Sequence, residues 1–136
     1  MAVLFDHERL KVYQTSVVFC GWLTQQMDAI PAKFAAKDQL DRASTSIVLN
    51  LAEGNGKRSY PDRSRFFDIA RGSALECAAC LDVLVVRNVL DEAVAADGKK
   101  QLLEIVAMIA GLITRFSGEG RVEEDSVLYG ETEDKE

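Results

Sequence analysis

The spacing of apolar residues constrains this chain of 136 residues more than any other feature. In four successive segments the apolar residues recur at steps of three and four, and no segment shows a sustained alternation at period two. Steps of three and four align side chains along one face of an α-helix, whereas strands alternate at period two. The sequence therefore predicts an all-α fold, an antiparallel up-down-up-down bundle of four helices joined by short turns.

Capping residues and helix breakers set the expected boundaries of the first two helices. The first helix has a candidate N-cap at Asp6 and is expected to end by Pro31, which cannot donate a backbone hydrogen bond. The second helix begins near Lys37 and runs into Gly54 and Gly56. We expect these glycines to end it, because glycine readily adopts the left-handed conformation that closes many helices.

The third helix has the clearest start. Ser59 and Asp62 are three residues apart and suit a helix N-terminus, and Pro61 between them suits a first helical turn. Steps of four and three then define its buried seam, formed by Ala70, Ala74, Cys77, Leu81, Leu84 and Asn88. A fourth helix is expected to open near Asp97 and to close at Gly118.

Two polar residues interrupt the apolar stripe of the second helix. Ser46 and Asn50 lie one helical turn apart. We expect them to hydrogen-bond to one another or to a neighbouring helix, which would fix the register of the bundle.

Two helices carry a second apolar face. Clustered apolar residues that exceed one stripe occur at positions 17–19 in the first helix and at positions 81 and 83–86 in the third. A four-helix bundle buries one stripe per helix, so the second stripe predicts a further packing partner, most simply another copy of this chain. The same faces leave a second interpretation open, in which the protein is an interaction scaffold that holds a different protein.

Charge divides the chain into two regions, which we assign as domains. Residues 1–117, the predicted bundle, hold 14 basic and 14 acidic side chains, whereas residues 118–136 hold two basic and eight acidic ones. The whole net charge of -6 therefore lies in this acidic tail. We expect the tail to be disordered or to dock only through Val127, Leu128 and Tyr129, and its acids could compete for basic surface on the bundle.

Basic residues concentrate around the turn between the second and third helices. Residues 42–71 hold six basic and three acidic side chains, and the turn itself reads Gly-Asn-Gly-Lys-Arg-Ser. The turn lacks the glycine and hydroxyl spacing of a Walker phosphate loop. Its backbone amides, a helix N-terminus and adjacent cations still favour an anion, of which a nucleic-acid phosphate is the obvious example. The alternative to an anion site is a turn between two helices whose charged side chains are simply solvated. The candidate nucleic-acid-binding residues are Lys57, Arg58, Arg63, Arg65, Arg42 and Arg71.

Catalytic, metal and cofactor chemistry find little support. The single histidine, His7, would have to serve any Ser/His or Cys/His relay, and no Glu-x-x-His pair of a di-iron bundle occurs. Cys77 and Cys80 form a C-x-x-C pair in the middle of a predicted helix, where a redox motif is not expected. Buried thiols in a reducing compartment are the simpler interpretation. We therefore expect no enzyme activity, no metal and no cofactor.

Membrane insertion and export are not expected either. No segment approaches the roughly 20 consecutive apolar residues needed to span a bilayer, and the first residues lack the basic region of a signal peptide. The expected location is the cytoplasm.

The centre of the chain resembles a known family. Residues 38–59 (DQLDRASTSIVLNLAEGNGKRS) and 65–77 (RFFDIARGSALEC) are similar to the four-helix proteins encoded by intervening sequences of bacterial 23S ribosomal RNA genes. Relatives of that family include the accessory variability determinant of diversity-generating retroelements. The shared core is formed by Asn50, Ala52, Glu53, Gly54, Gly56, Lys57 and Ser59.

The resemblance implies both an assembly and a function. It implies an antiparallel bundle that forms a homopentameric ring and binds nucleic acid through basic surface, without an established enzymatic activity. The retroelement proteins also contact a reverse transcriptase, so a protein partner is a further implication. The acidic net charge places this chain nearer the intervening-sequence branch. The resulting hypothesis is a non-enzymatic oligomer that binds RNA or DNA at the turn between helices two and three.

Overall fold

A computed structural model describes residues 2–117, which form four α-helices and no strand. A short 3-10 helix at Asp6–Arg9 precedes the helices α1 (Lys11–Met27), α2 (Ala35–Asn55), α3 (Tyr60–Val86) and α4 (Glu92–Arg115). The all-α prediction with four helices is confirmed. Within the described residues, every helix is too short or too polar to span a lipid bilayer. The acidic tail, with the predictions made for it and for Gly118, lies outside the described residues.

One hydrophobic core is shared by all four helices. The predicted seam of α3 is buried throughout except at Asn88, which is exposed and follows the end of the helix with a positive φ of 59°. Asparagine tolerates this left-handed conformation better than most residues, so Asn88 serves the turn rather than the core. The largest fully buried side chains are Phe19, Phe67, Leu10, Ile30, Leu40, Ile47, Leu51, Leu81, Leu84, Leu102, Ile105 and Ile109.

Two helices begin at residues other than those predicted. The 3-10 helix occupies the segment after Asp6, so α1 starts only at Lys11 and Asp6 does not cap it. Helix α4 starts at Glu92, five residues before Asp97. The side chain of Asp91 accepts a hydrogen bond from the backbone N–H of Ala93 at 3.3 Å and caps this earlier start.

Packing, rather than backbone conformation, explains Gly54 near the end of α2. Gly56 has a φ of −84°, so the predicted left-handed closure is wrong. Gly54 lies in the last turn of α2 and is buried against α3. A Cβ atom at Gly54 would lie 2.9 Å from the Cβ of Phe66 and 3.0 Å from a ring carbon of Phe67. The absence of a side chain therefore lets the end of α2 approach the start of α3.

Polar groups also join α2 to α3. The hydroxyl groups of Ser46 and Ser73 lie 2.8 Å apart, across the two helices. The side-chain amide of Asn50 donates to the carbonyl oxygen of Ser46 at 2.9 Å and to its hydroxyl at 3.0 Å. This network confirms that Ser46 and Asn50 bond to one another, and Ser46 also bonds to a neighbouring helix.

Candidate nucleic-acid interface

The turn between α2 and α3 is short and has a hydrogen-bonded backbone. Residues 56–59 separate the two helices, and the backbone N–H groups of Gly56 and Lys57 each donate at 3.1 Å to carbonyl groups at the end of α2. Ser59 is the N-cap of α3, and its hydroxyl accepts a hydrogen bond from the backbone N–H of Asp62 at 3.2 Å. The predicted cap is confirmed, and the turn is anchored at both ends.

Arg63 is part of the turn's support and is not surface for a ligand. Its side chain is buried, with 4% of the residue exposed. The guanidinium donates to the carbonyl oxygen of Lys57 at 3.0 Å, and to the backbone carbonyl and the side-chain oxygen of Asn55. Because its donors are directed to these carbonyl groups, the structure places the predicted site residue Arg63 beneath the turn and not at its exposed surface. The charge instead stabilises carbonyl groups at the end of α2.

The end of α4 packs against the same turn. The aromatic ring of Phe116 lies under the Arg63 guanidinium at 5.1 Å and meets the ring of Tyr60 at 4.9 Å between centroids. Ser64 donates a hydrogen bond to the carbonyl oxygen of Phe116 at 2.6 Å. Sequence reasoning missed Asn55 and Phe116, because neither is charged and Phe116 joins the turn only through the tertiary fold.

Lys57 and Arg65 both precede Phe66 in sequence, and both hold their charged groups close to its ring. The Lys57 ammonium is 4.9 Å from the ring centroid and the Arg65 guanidinium 5.1 Å. Lys57 also pairs with Glu53 at 3.7 Å, and Arg65 with Asp62 at 3.4 Å. All four charged side chains are at least one-third exposed, so these pairs are partly solvated.

The remaining predicted cations fall into two groups. Arg58 is exposed in the turn and forms no ion pair with another residue in 2–117. Arg42 pairs with Asp38 at 2.9 Å and lies on α2 roughly 20 Å from its end, at 1.5 Å per residue. Arg71 is half-buried on α3, roughly 18 Å beyond Ser59 by the same measure. The fold thus separates Arg42 and Arg71 from the turn. We use the name "basic corner" for Lys57, Arg58 and Arg65.

The cysteines are free thiols in apolar surroundings. Burial, followed by the nearby Cys80, Cys20 and Glu76, raises the pKa of Cys77 to about 12. Burial also raises the pKa of Cys20 and of Cys80. A thiol with a raised pKa is a poor nucleophile because little of it is ionised near neutral pH. No group of three or more potential metal-ligating side chains occurs among residues 2–117.

His7 lies among aromatic rings near the start of the chain. Its ring stacks on Phe5 with centroids 5.8 Å apart and meets Tyr13 edge-on at 4.8 Å. Glu53, in the last turns of α2, pairs with Lys57 at 3.7 Å.

Four helices packed in this way, with a glycine-containing turn held by an arginine, define a small helical-bundle protein. The sequence profile of the 23S rRNA-intervening sequence protein family matches residues 8–111. The chain therefore belongs to that family, and the resemblance seen in its central residues is confirmed.

Comparison with solved structures supports the fold. The chain is similar to the crystal structure of a protein of unknown function from the S23 ribosomal protein family of Bacteroides thetaiotaomicron, with a TM-score of 0.70 and 21% identity. The similarity covers 75% of this chain and 97% of that one. No curated protein shows a significant match to the chain.

Proposed function

We propose that this protein is a non-enzymatic, homo-oligomeric helical bundle that binds RNA or DNA phosphates at its basic corner. The observation that carries the proposal is Arg58, an exposed cation in a short anchored turn, without an ion pair among residues 2–117. A phosphate bound there would gain a charge-assisted hydrogen bond without first displacing a carboxylate.

Lys57 and Arg65 can also bind a phosphate, because the ion pairs that each would have to break are weak. The ion pairs Lys57–Glu53 and Arg65–Asp62 join residues four and three apart at an exposed surface. Pairs of this kind contribute only about 0.2–0.5 kcal/mol. A nucleic-acid phosphate, whose binding also releases condensed counterions, can therefore replace Glu53 or Asp62 as the partner.

The support beneath the corner makes it a defined surface. Arg63 holds the backbone of the turn through the carbonyl groups of Asn55 and Lys57, and Phe66 contacts the side chains of Lys57 and Arg65. Cations that are already positioned lose less conformational entropy when a ligand binds. The family core at Gly54 and Ser59 contributes to the same geometry by close packing and by capping.

Binding is tested with a fluorescent single-stranded RNA of about 16 nucleotides and a DNA duplex, each titrated with protein at low salt. We expect Arg58→Glu to weaken binding about tenfold, because it replaces an attraction by a repulsion. Arg87→Glu is the matched control, since Arg87 is exposed beyond the far end of α3 and carries the same change in charge. Equal losses in the two variants, or no binding by the wild-type protein, would refute the proposal.

Self-association is the second part of the proposal, and an apolar groove supports it. Residues of α3 and α4 line a groove of about 690 Å³, in which Leu75, Val86 and Leu103 are 48%, 81% and 71% exposed. Exposed apolar side chains that cluster in this way are typical of protein interfaces. The family resemblance implies a pentameric ring. Such a ring would let several basic corners, each of them weak, contact one nucleic acid at once, which would increase the affinity of the oligomer for that nucleic acid.

The up-down-up-down topology is part of this proposal. Gly54 near the end of α2 contacts Phe66 and Phe67 near the start of α3, and Ser64 near the start of α3 bonds to Phe116 at the end of α4. Contacts between the end of one helix and the start of another favour an antiparallel arrangement of α2, α3 and α4.

The groove also supports the alternative function, an interaction scaffold for a different protein. Light scattering on the eluting protein measures the number of subunits, and Leu103→Glu is expected to lower it. Leu49→Glu is the control, because Leu49 is 60% exposed on α2, outside the groove. A wild-type monomer that recovers a stoichiometric protein partner, insensitive to nuclease, would favour the scaffold.

The cytoplasm is the proposed location. Three cysteines are unpaired, and Cys77 and Cys80 are buried. Proteins of reducing compartments commonly carry free thiols of this kind.

A further inference from the structure

Phe66 lies at the basic corner without belonging to the hydrophobic core. Its neighbour Phe67 is fully buried and is part of the core formed within residues 2–117, whereas Phe66 is half-buried and is not part of it. The Cβ atom of Phe66 lies close to Gly54, where a Cβ atom would meet it at 2.9 Å, and this contact anchors the side chain to the end of α2. Burial in the core therefore does not account for the aromatic ring at this position.

The surroundings of the Phe66 ring combine positive charge with apolar surface. The Lys57 ammonium lies 4.9 Å from the ring centroid and the Arg65 guanidinium 5.1 Å. Ile69, which is 47% exposed, follows Phe66 by three residues and so lies on the same face of α3. Proteins that bind single-stranded nucleic acids use aromatic rings beside exposed cations, because bases stack on the rings while the cations contact the phosphates.

We propose that the Phe66 ring stacks on an unpaired base, so that the basic corner selects single-stranded nucleic acid over a duplex. This inference rests on the proposed function and adds to it the strandedness of the ligand. In a duplex the faces of each base are covered by the neighbouring base pairs, and only an unpaired base can turn its face to a side chain. Every base has an aromatic face, so no strong sequence preference is expected.

Binding exchanges the contacts of the two cations. The side chains of Lys57 and Arg65 are at least one-third exposed, so either can leave the ring to pair with a phosphate while a base takes its place on the ring. A cation–π contact at an exposed site changes an equilibrium constant by roughly two- to fivefold. A base stacked on an aromatic side chain changes it by roughly 5- to 150-fold. The exchange therefore favours the bound strand.

Three DNA probes separate stacking from charge. The first is a fluorescent single strand of about 16 nucleotides, the second is an abasic strand that keeps every phosphate but lacks the bases, and the third is a duplex of the same length. Each probe is titrated with the full-length protein at low salt. We expect the wild-type protein to bind the normal strand about tenfold more tightly than the abasic strand, because only the normal strand offers a base to the Phe66 ring.

Substitutions of Phe66 assign the difference to its ring. Phe66→Leu removes the aromatic face but keeps the Cβ atom that packs on Gly54. We expect it to bind the normal strand about tenfold more weakly than wild type, with unchanged affinity for the abasic strand and the duplex. The salt dependence should also be unchanged, because the phosphate contacts remain. Phe66→Tyr keeps an aromatic ring and is expected to retain binding.

Phe34→Leu is the matched control for Phe66→Leu. Phe34 is also a half-buried aromatic residue beside a cation, with the Lys33 ammonium 5.4 Å from the ring centroid. It precedes the first residue of α2, whereas the basic corner adjoins the last turn of that helix. We expect Phe34→Leu to change the affinity for every probe by less than about twofold, because its ring is remote from the corner.

The outcomes separate this inference from the proposed function. A preference for the normal strand that Phe66→Leu alone abolishes supports the stacking. Wild-type protein that binds the normal and abasic strands equally, with a steep salt dependence, would leave phosphate binding standing and overturn the stacking. Equal weakening of all three probes by Phe66→Leu would overturn it too, because Phe66 would then only support the cations. No binding of any probe by the wild-type protein would refute the proposed function and this inference together.

Discussion

The hydroxyl group of Ser64 donates a hydrogen bond of 2.6 Å to the carbonyl oxygen of Phe116. Ser64 lies in the first turns of α3, and Phe116 closes α4, so this bond joins residues 52 positions apart. It satisfies a carbonyl group at a helix end, where no partner exists within the helix. The bond fixes the end of the bundle that carries the basic corner.

Replacing Ser64 tests that bond. Ser64→Ala leaves the carbonyl oxygen of Phe116 without its partner, and we expect the free energy of unfolding to fall by about 1 kcal/mol. Urea denaturation measures the change. Ser117→Ala is the control, because the Ser117 hydroxyl bonds to Thr114 at an exposed position. A loss at Ser117 as large as that at Ser64 would contradict the role given to the Ser64 bond.

Arg63 is expected to be the most destabilising arginine to replace. Arg63→Ala removes the donors that satisfy the carbonyl groups of Lys57 and Asn55 and opens a space beside Phe116, so a loss of about 3 kcal/mol is expected. Arg63→Lys should recover only part of it, because an ammonium group cannot reproduce the planar geometry of a guanidinium.

The exposed Arg65 provides the matched comparison. Arg65→Ala removes a solvated pair with Asp62 and should change stability by less than about 1 kcal/mol. Denaturation curves of the two alanine variants that coincide would show that Arg63 is not the support of the turn.

Gly54 and Gly72 should respond in opposite directions to alanine. A methyl group at Gly54 would meet Phe66 and Phe67 at 2.9–3.1 Å, and the forced separation of α2 and α3 should cost about 1–3 kcal/mol. A methyl group at Gly72 meets nothing within 4 Å, and alanine in a helix interior is favoured by about 0.5–1 kcal/mol. Thermal and urea unfolding report both effects. Destabilisation by Gly72→Ala, or tolerance of Gly54→Ala, would argue against close packing as the reason for Gly54.

The thiol of Cys77 makes stability depend on alkaline pH. Its pKa is raised from an ordinary value of 9.0 to about 12, so the unfolded chain loses this proton before the folded protein does. The folded state then binds more protons between these pH values, so the free energy of unfolding falls as pH rises through this window, by at most about 1.4 kcal/mol per pH unit. The stability that depends on the Cys77 thiol proton is fully present below pH 9.0.

Comparison of Cys77→Ala with the wild-type protein isolates this effect. The variant should be less stable near neutral pH, because a buried side chain becomes smaller, but its stability should fall less steeply above pH 9.0. Urea midpoints across the alkaline range give the slopes. Parallel curves for the two proteins would contradict the assignment.

Local patterns made much of the fold predictable. The apolar steps of three and four in each helix follow from the one face that meets the core. The cap of α3 is equally local, because the Ser59 hydroxyl accepts a hydrogen bond from the backbone N–H only three residues further on. The start of α4 was missed for a local reason as well. Residues 92–97 contain only one apolar residue larger than alanine, so periodicity is weak there, although Asp91 offered a capping signal.

The candidate site was less predictable because it depends on tertiary contacts. In sequence Arg63 differs little from Arg65, yet Arg63 is buried and Arg65 is exposed. The difference arises from Asn55 and Phe116, which the fold brings to one side chain. Charge counting likewise placed Arg42 with the turn, whereas the length of α2 holds it away.

The salt dependence of RNA binding, compared between wild-type protein and Arg58→Ala, tests the central claim most directly. The logarithm of the association constant should fall linearly with the logarithm of salt concentration between about 50 and 200 mM. Removing one phosphate contact by Arg58→Ala should reduce the slope by about 1 for each corner engaged. Wild-type binding that is insensitive to salt, or a slope unchanged in Arg58→Ala, would show that the turn between α2 and α3 is not the phosphate-binding surface.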